Sequence, residues 1–203
     1  MTSTVFFKNQ RALEPAALDV LFREARSANG FLPDRIPLDL LRDIVNTTKM
    51  APTALNALPL RVVFVTTDEG RQRLIPTLAP GNVAKVESAP VTAILARDLA
   101  FHDHLPRLAP QAPPAHFEMA KANAESMSLF NATMQAGYFI LATRAQGLDA
   151  GPMGGFSNEA VDSEFFPGGT RKSVLLVTLG YADDSKTFPR NPRLEFEEIA
   201  SFA

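Results

Sequence analysis

The chain has 203 residues, of which 46% are hydrophobic and 21% charged, with a formal net charge of −2 and no cysteine. This fits one globular domain with a substantial core, and the balanced charge argues against nucleic acid or an anionic membrane as a partner. Without cysteine there can be no disulfide, thiolate-bound zinc, iron–sulfur cluster or thiol nucleophile. The opening Met1-Thr2-Ser3-Thr4-Val5-Phe6-Phe7-Lys8 lacks both a basic leader and a long apolar core. No run approaches the roughly 18 apolar residues of a membrane span, so a cytoplasmic protein is expected.

In chain order, Ala16 to Arg26 reads as a helix with Leu18, Leu21, Phe22 and Ala25 on one face. Pro37 to Met50 reads as a second, with Leu40, Leu41, Ile44 and Val45 as its stripe, Pro37 in the first turn and Pro52 as its stop. The β-branched run Arg61 to Thr67 predicts a buried strand, and Asp68 is placed to cap a short helix through Leu74. Pro90 to Ala96 predicts a second strand. Residues 101 to 116 carry four prolines and all three histidines, which predicts a long, lid-like surface loop. A single long helix is expected over Phe117 to Gln146, ended by Gly147. Glu159 to Phe165 predicts a short helix and Ser173 to Tyr181 a third strand. A tail follows from Phe188, with a short helix near Glu195 to Ala200. The order predicts one α+β or α/β domain over residues 1–203, in which three or four strands lie under long helices. The surplus apolar helix surface suggests a dimer.

Between the last long helix and strand lies Gly147-Leu148-Asp149-Ala150-Gly151-Pro152-Met153-Gly154-Gly155-Phe156, almost bare of reactive side chains. Its glycines leave backbone N–H and C=O groups open to a flat ligand, which directs attention to a cofactor rather than to a catalytic triad. His102 and His104 are spaced as ligands on one face of a strand, with His116 nearby. A metal needs further ligands in fixed geometry, so exposed histidines and no metal are expected. Arg26, Ser27 and Arg193 have the chemistry of a discontinuous phosphate site, since a guanidinium matches phosphate oxygens as a planar fork, and Arg190 stands beside Arg193 in the C-terminal tail. Thr53 and Asn56 can each donate and accept, and Asn82 and Lys85 share a face if their segment is helical. No G-x-G-x-x-G or G-x-x-x-x-G-K-[ST] occurs, so neither a Rossmann nor a P-loop site is supported.

Taken in order, these segments resemble the FMN-dependent nitroreductase family. The carriers are Arg26-Ser27-Ala28-Asn29-Gly30-Phe31, Pro52-Thr53-Ala54-Leu55-Asn56, Asn82-Val83-Ala84-Lys85, Gly151-Pro152-Met153-Gly154-Gly155-Phe156 and Arg190-Asn191-Pro192-Arg193. Within the family the chain is similar to the branch holding malonic semialdehyde reductase and provisionally named NADH dehydrogenase/NAD(P)H nitroreductases. That similarity rests on Asn29-Gly30, Ser88 to Ile94, Met134 to Tyr138, Gly147-Leu148-Asp149 with Gly151-Pro152-Met153, and Lys172-Ser173 before Gly180-Tyr181.

The resemblance implies an α+β nitroreductase-like fold with a small, mixed but mainly antiparallel sheet, in an intertwined homodimer with FMN at the interface. It implies that Arg26, Ser27 and Arg193 hold the phosphate, and that Asn29 and Arg190, in the same segments, belong to the cofactor site. Asn82 and Lys85 would face the pyrimidine edge, with Lys85 as the catalytic charge. Pro52, Thr53 and Asn56 would reach the partner's flavin, and Pro152, Met153, Gly154 and Gly155 would line the ring. The implied activity is ping-pong hydride transfer from NADH or NADPH through flavin N5 to a small acceptor, such as malonic semialdehyde. The alternatives are a nitroaromatic or quinone reductase, a flavin-binding protein with little turnover, or a binding module without flavin. Relatives often carry Arg or Lys at the position of Asn29 and Glu at that of Gly154, so here a cation and a side-chain contact near N5 are replaced.

Overall fold

The structure is a computed structural model describing residues 12–203; the reading of Met1 to Lys8 as free of a leader falls outside those residues. Four strands form one sheet: β1 (Leu60–Val65), β2 (Val91–Asp98), β3 (Asp149–Met153) and β4 (Arg171–Gly180). Their order is β1-β2-β4-β3 and each neighbouring pair is antiparallel. The expected mixture of directions reduces to one isolated parallel bridge, Ser27 to Ala150.

The central strands are apolar on both faces because both faces are covered. On one side Val91, Ala93 and Leu95 of β2 and Val177 and Leu179 of β4 meet α2 (Leu38–Thr48), through Leu41 and Ile44, and a helix over Ala124–Ala145, through Ala136, Phe139 and Ala142. On the other, Ile94, Ala96 and Leu176 pack with Leu74, Val86 and Val161. These three come from α3 (Asp68–Leu74), α4 (Pro80–Ser88) and a helix over Asn158–Phe165. The small residues of the long helix let its backbone settle close to the sheet, where dense packing accumulates many weak dispersion contacts.

Five expectations about elements change. The first helix is α1 (Pro15–Leu18) followed by a π-helical turn over Asp19–Arg23, so Arg26 and Ser27 lie beyond it rather than closing it. Thr67, not Asp68, caps α3, its Oγ1 accepting from the Gly70 N–H at 3.1 Å. Residues 101–116 are not one loop. They hold a 3-10 turn at Phe101–His104, α5 (Leu105–Leu108) and the start of α6 (Pro114–Ala122), anchored by fully buried Phe101 and Leu105. The long helix is broken at Asn123 into α6 and α7 (Ala124–Ala145). There the Asn123 side chain donates back to the Met119 carbonyl, a bond that competes with the helix ladder. Finally, Asp149–Met153, read as loop, is the edge strand β3. The chain finishes with α8 (Asn158–Phe165) before β4 and α9 (Phe196–Ile199) after it, α9 carrying a Glu195/Glu198 capping box.

Candidate active site

The segment after α1 runs along the end of the sheet as an irregular extra strand. The Ala28 N–H donates to the Ala150 carbonyl, Leu32 N–H to Tyr181, and Asp183 N–H to Gly30. This lays Ser27 beside β3 and explains Gly151. A Cβ there would collide with Thr178 Oγ1 and the Ala28 carbonyl, so this glycine serves backbone packing rather than an approaching ligand. At Gly155 a Cβ would fall 2.6 Å from Asn82 Nδ2. Of the three glycines only Gly154 has open space beside it. Met153 turns its side chain into the core with Val86 and Leu176, leaving only its backbone available. Pro152 sits between them, half-buried, on the edge strand.

Pro80 opens α4 in its first turn, and the helix puts Asn82 and Lys85 on the face toward β3. Asn82 Nδ2 donates to the Gly155 carbonyl at 2.8 Å, tying α4 to the glycine segment. Lys85 lies over Gly151, and among the described residues its Nζ makes no hydrogen bond or ion pair. Burial pushes the Lys85 ammonium below the ordinary lysine value. It is a cation held partly out of water with no counter-ion among the described residues.

At the Ser27 end of β3 a cavity of about 420 Å³ is lined by Arg26, Ser27, Asn29, Arg144, Arg190 and Arg193 with neighbouring apolar side chains. Four arginines line it and, among the described residues, no carboxylate does. Their recorded partners are main-chain carbonyls: Arg26 bonds to Glu24 and Ala25, Arg190 to Phe22, Arg23 and Ala25, and Arg193 to Asn191 and Pro192. Asn29 Nδ2 donates to the Ser27 carbonyl. Such a donor set fits an oxyanion. Two roomier hollows, about 640 and 500 Å³, lie between α2 and the free edge of β1. Neither holds any of the expected site residues.

Arg144 was absent from the sequence-based set. It stands in the last turn of α7. The signal was a lone basic residue in an otherwise small and apolar half-helix, three positions before the Gly147 stop.

Pro52, Thr53 and Asn56 do not join this group. They lie before β1, at the opposite edge of the sheet and opposite end of the strands: Leu60 is level with Arg97 and Lys172, whereas Gly151 is level with Thr178. Their turn holds Leu55, Asn56 and Leu58 at φ of 55°, 50° and 43°, the left-handed region that costs a non-glycine residue about 1 kcal/mol or more. Long-range bonds hold it there. Asn131 Oδ1 accepts from Ala54 N–H at 2.8 Å, Gln135 Oε1 from Leu60 N–H at 3.0 Å, and Asn56 Nδ2 donates to the Leu108 carbonyl at 2.9 Å.

Comparison with known proteins follows the same lines. The chain is 47% identical over 193 residues to a protein of Stenotrophomonas maltophilia (strain R551-3), covering 95% of this chain and 98% of that one. It is 47% identical over 190 residues to one of Cupriavidus pinatubonensis (strain JMP 134 / LMG 1197), covering 92% and 97%. Both are provisionally named NADH dehydrogenase/NAD(P)H nitroreductase. Among solved structures, a provisionally assigned nitroreductase from Exiguobacterium sibiricum 255-15 in complex with FMN superposes with a TM-score of 0.81 at 22% identity, covering 96% of this chain and 99% of that one. One from Bacillus subtilis gives 0.81 at 21% identity, covering 94% and 100%. The model of the Nitroreductase family matches residues 22–181, and the chain therefore belongs to the nitroreductase family.

Proposed function

We propose that this protein is a cytoplasmic, homodimeric, FMN-dependent NAD(P)H oxidoreductase that reduces a small acceptor. The observation that carries this reading is the order of groups along β3. Among the described residues, a carboxylate-free cluster of arginines stands at Ser27 and Ala150, an unpartnered lysine over Gly151, and a tethered amide at Gly155. That sequence of anion, charge and amide sites suits a long ligand with a phosphate at one end and a polar ring at the other. The names of the relatives and the FMN complex of the fold neighbour support the same cofactors.

Bound FMN would carry hydride between a reduced nicotinamide and the acceptor. The chain's own residues bind and polarise. Arg26, Ser27 and Arg193, with Arg190 and Asn29 beside them, hold the phosphate. Lys85 places positive charge at the pyrimidine edge, and its partial desolvation strengthens that field. Asn82, with one N–H spent on Gly155, keeps its carbonyl oxygen and second N–H for the same edge. Gly154, open on its side-chain side, leaves main-chain N–H as the contact where relatives often have a carboxylate. Pro52, Thr53 and Asn56 serve the partner's site, which accounts for their place at the far corner of the sheet. Exposed Phe130, Tyr138, Phe188, Phe196 and Phe202 supply apolar surface for the dimer.

The acceptor we assign is malonic semialdehyde, reduced to 3-hydroxypropionate, on the segments shared with that branch; nitroaromatics and quinones are the competing acceptors. The purified protein should take up FMN and turn yellow, run as a dimer, and oxidise NADH or NADPH fastest with the semialdehyde. A protein that stays colourless after incubation with FMN would overturn the flavin reading. Faster turnover of quinone or nitroaromatic would overturn the acceptor, and a bound flavin without turnover would leave only a carrier.

A further inference from the structure

The geometry points to Arg144 as a half-buried grip on the flavin phosphate and the residue that makes this site prefer FMN to unphosphorylated riboflavin. The inference rests on the flavin reading above and adds a residue outside the family's motif segments. Arg144 is less exposed than Arg190 and Arg193, which share its cavity. Its Nη1 donates to the Leu21 carbonyl at 2.9 Å, which fixes the plane of the guanidinium. Its Nε is buried without any hydrogen-bond partner, and among the described residues Nη2 has none either. Those two nitrogens form one edge of the guanidinium, with parallel N–H groups spaced for two oxygens of one phosphate. A buried donor left unmet is unfavourable unless something completes it.

The surrounding charges support the same occupant. Asp149 attracts Arg144, but its Oδ2 accepts from the Ala182 N–H at 2.9 Å and it forms no ion pair with the arginine. Arg190 repels Arg144 across the cavity. The C-terminal end of α7 favours a cation in its last turn, which explains why the charge is tolerated there but leaves Nε unmet. An anion with at least two oxygens answers both the unmet donors and the mutual repulsion. A neutral ribityl hydroxyl can accept from one of these donors but leaves the repulsion between the two arginines unanswered.

The test compares the parent with Arg144→Met, which keeps volume and removes charge and donors, and Arg144→Lys, which keeps charge but has no two-donor edge. Flavin fluorescence gives the dissociation constants of FMN and riboflavin. FMN binding should weaken by about tenfold or more in Arg144→Met while riboflavin changes less than about twofold, with Arg144→Lys between. A purely structural role through Leu21 would weaken both flavins alike, and that result overturns the inference. If Arg144→Met does not fold, Arg144→Lys decides: an FMN-to-riboflavin ratio equal to the parent's overturns it and a fall upholds it. If the parent binds no flavin, the functional reading fails separately. Inorganic phosphate then decides, since a melting temperature raised in the parent and not in the variant upholds the grip, and equal or absent shifts overturn it.

Discussion

The two open edges of the sheet are built in contrasting ways. Along β3 the polar groups converge: arginines gather round one cavity, Lys85 stands over the strand, and Asn82 is tied to Gly155. The backbone there is relaxed, and the glycines of the segment from Gly151 to Gly155 have no positive φ. At β1 the hollows beside the strand are partly apolar, and the turn before it holds three left-handed non-glycine residues in place with bonds from Asn131, Gln135 and Asn56. One edge is assembled within a single chain. The other keeps a left-handed turn that seats Ala57 and Leu55 against Phe101, Leu105 and Ala120. The difference teaches that the converging polar groups and the left-handed turn lie at opposite corners of one sheet.

The largest effect expected is at Lys85. Lys85→Met should slow flavin reduction by NAD(P)H by about 100-fold or more in stopped-flow measurements, while the unfolding midpoint holds or rises. An unchanged rate removes the proposed role. The pH dependence has a definite sign. Burial lowers the folded lysine's pKa, so the unfolded chain binds its proton more tightly. The parent should therefore gain stability relative to the variant as pH rises from the lowered value toward the ordinary lysine value. A relative loss over that window would contradict the burial argument.

Next in size is complementation between the corners. Protomers carrying Lys85→Met and protomers carrying Thr53→Arg should each be nearly inactive alone. Mixed and re-equilibrated as dimers, they should regain about a quarter of parental activity, because half the dimers are mixed and each mixed dimer has one intact site. No recovery despite proven mixing would mean that the two corners do not act on one flavin.

The smallest effects separate two adjacent glycines. Gly155→Ala drives a methyl onto the Asn82 amide and should cost about 1–3 kcal/mol in denaturant unfolding. Gly154→Ala meets open space and should stay within about 0.5 kcal/mol of the parent. Equal losses would show that the α4 tether contributes nothing.

The legible parts of the fold were those with a repeating apolar pattern. The stripe of α2 and the unbroken apolar runs of β2 and β4 read directly, because each reports burial on a known period. Strand β3 was illegible. Asp149-Ala150-Gly151-Pro152-Met153 has little intrinsic strand preference, and pairing with β4 imposes its conformation. The break at Asn123 depends on one side chain bonding backward, which propensity alone does not locate. At the site, residue chemistry suggests Arg26, Ser27 and Arg193 as one anion site and the family resemblance adds Asn29 and Arg190; all five line one cavity. Arg144 was missed because its claim comes from geometry. A basic residue near a helix end is ordinary in a sequence, and only the packing shows its Nε without a partner.

The π-helical turn over Asp19–Arg23 has a consequence for the order in which the protein can finish. Carbonyls at and just beyond that turn are taken by guanidiniums from far along the chain: Leu21 by Arg144, 123 residues later, and Phe22 by Arg190, 168 residues later. Synthesis adds about 5–20 residues per second, so the ribosome makes the helix end roughly 8–34 s before the group that closes it. Until then its carbonyls must look to water. The π-helical turn is thus completed by residues translated long after it, and a truncation before Arg190 should leave that end of the helix frayed.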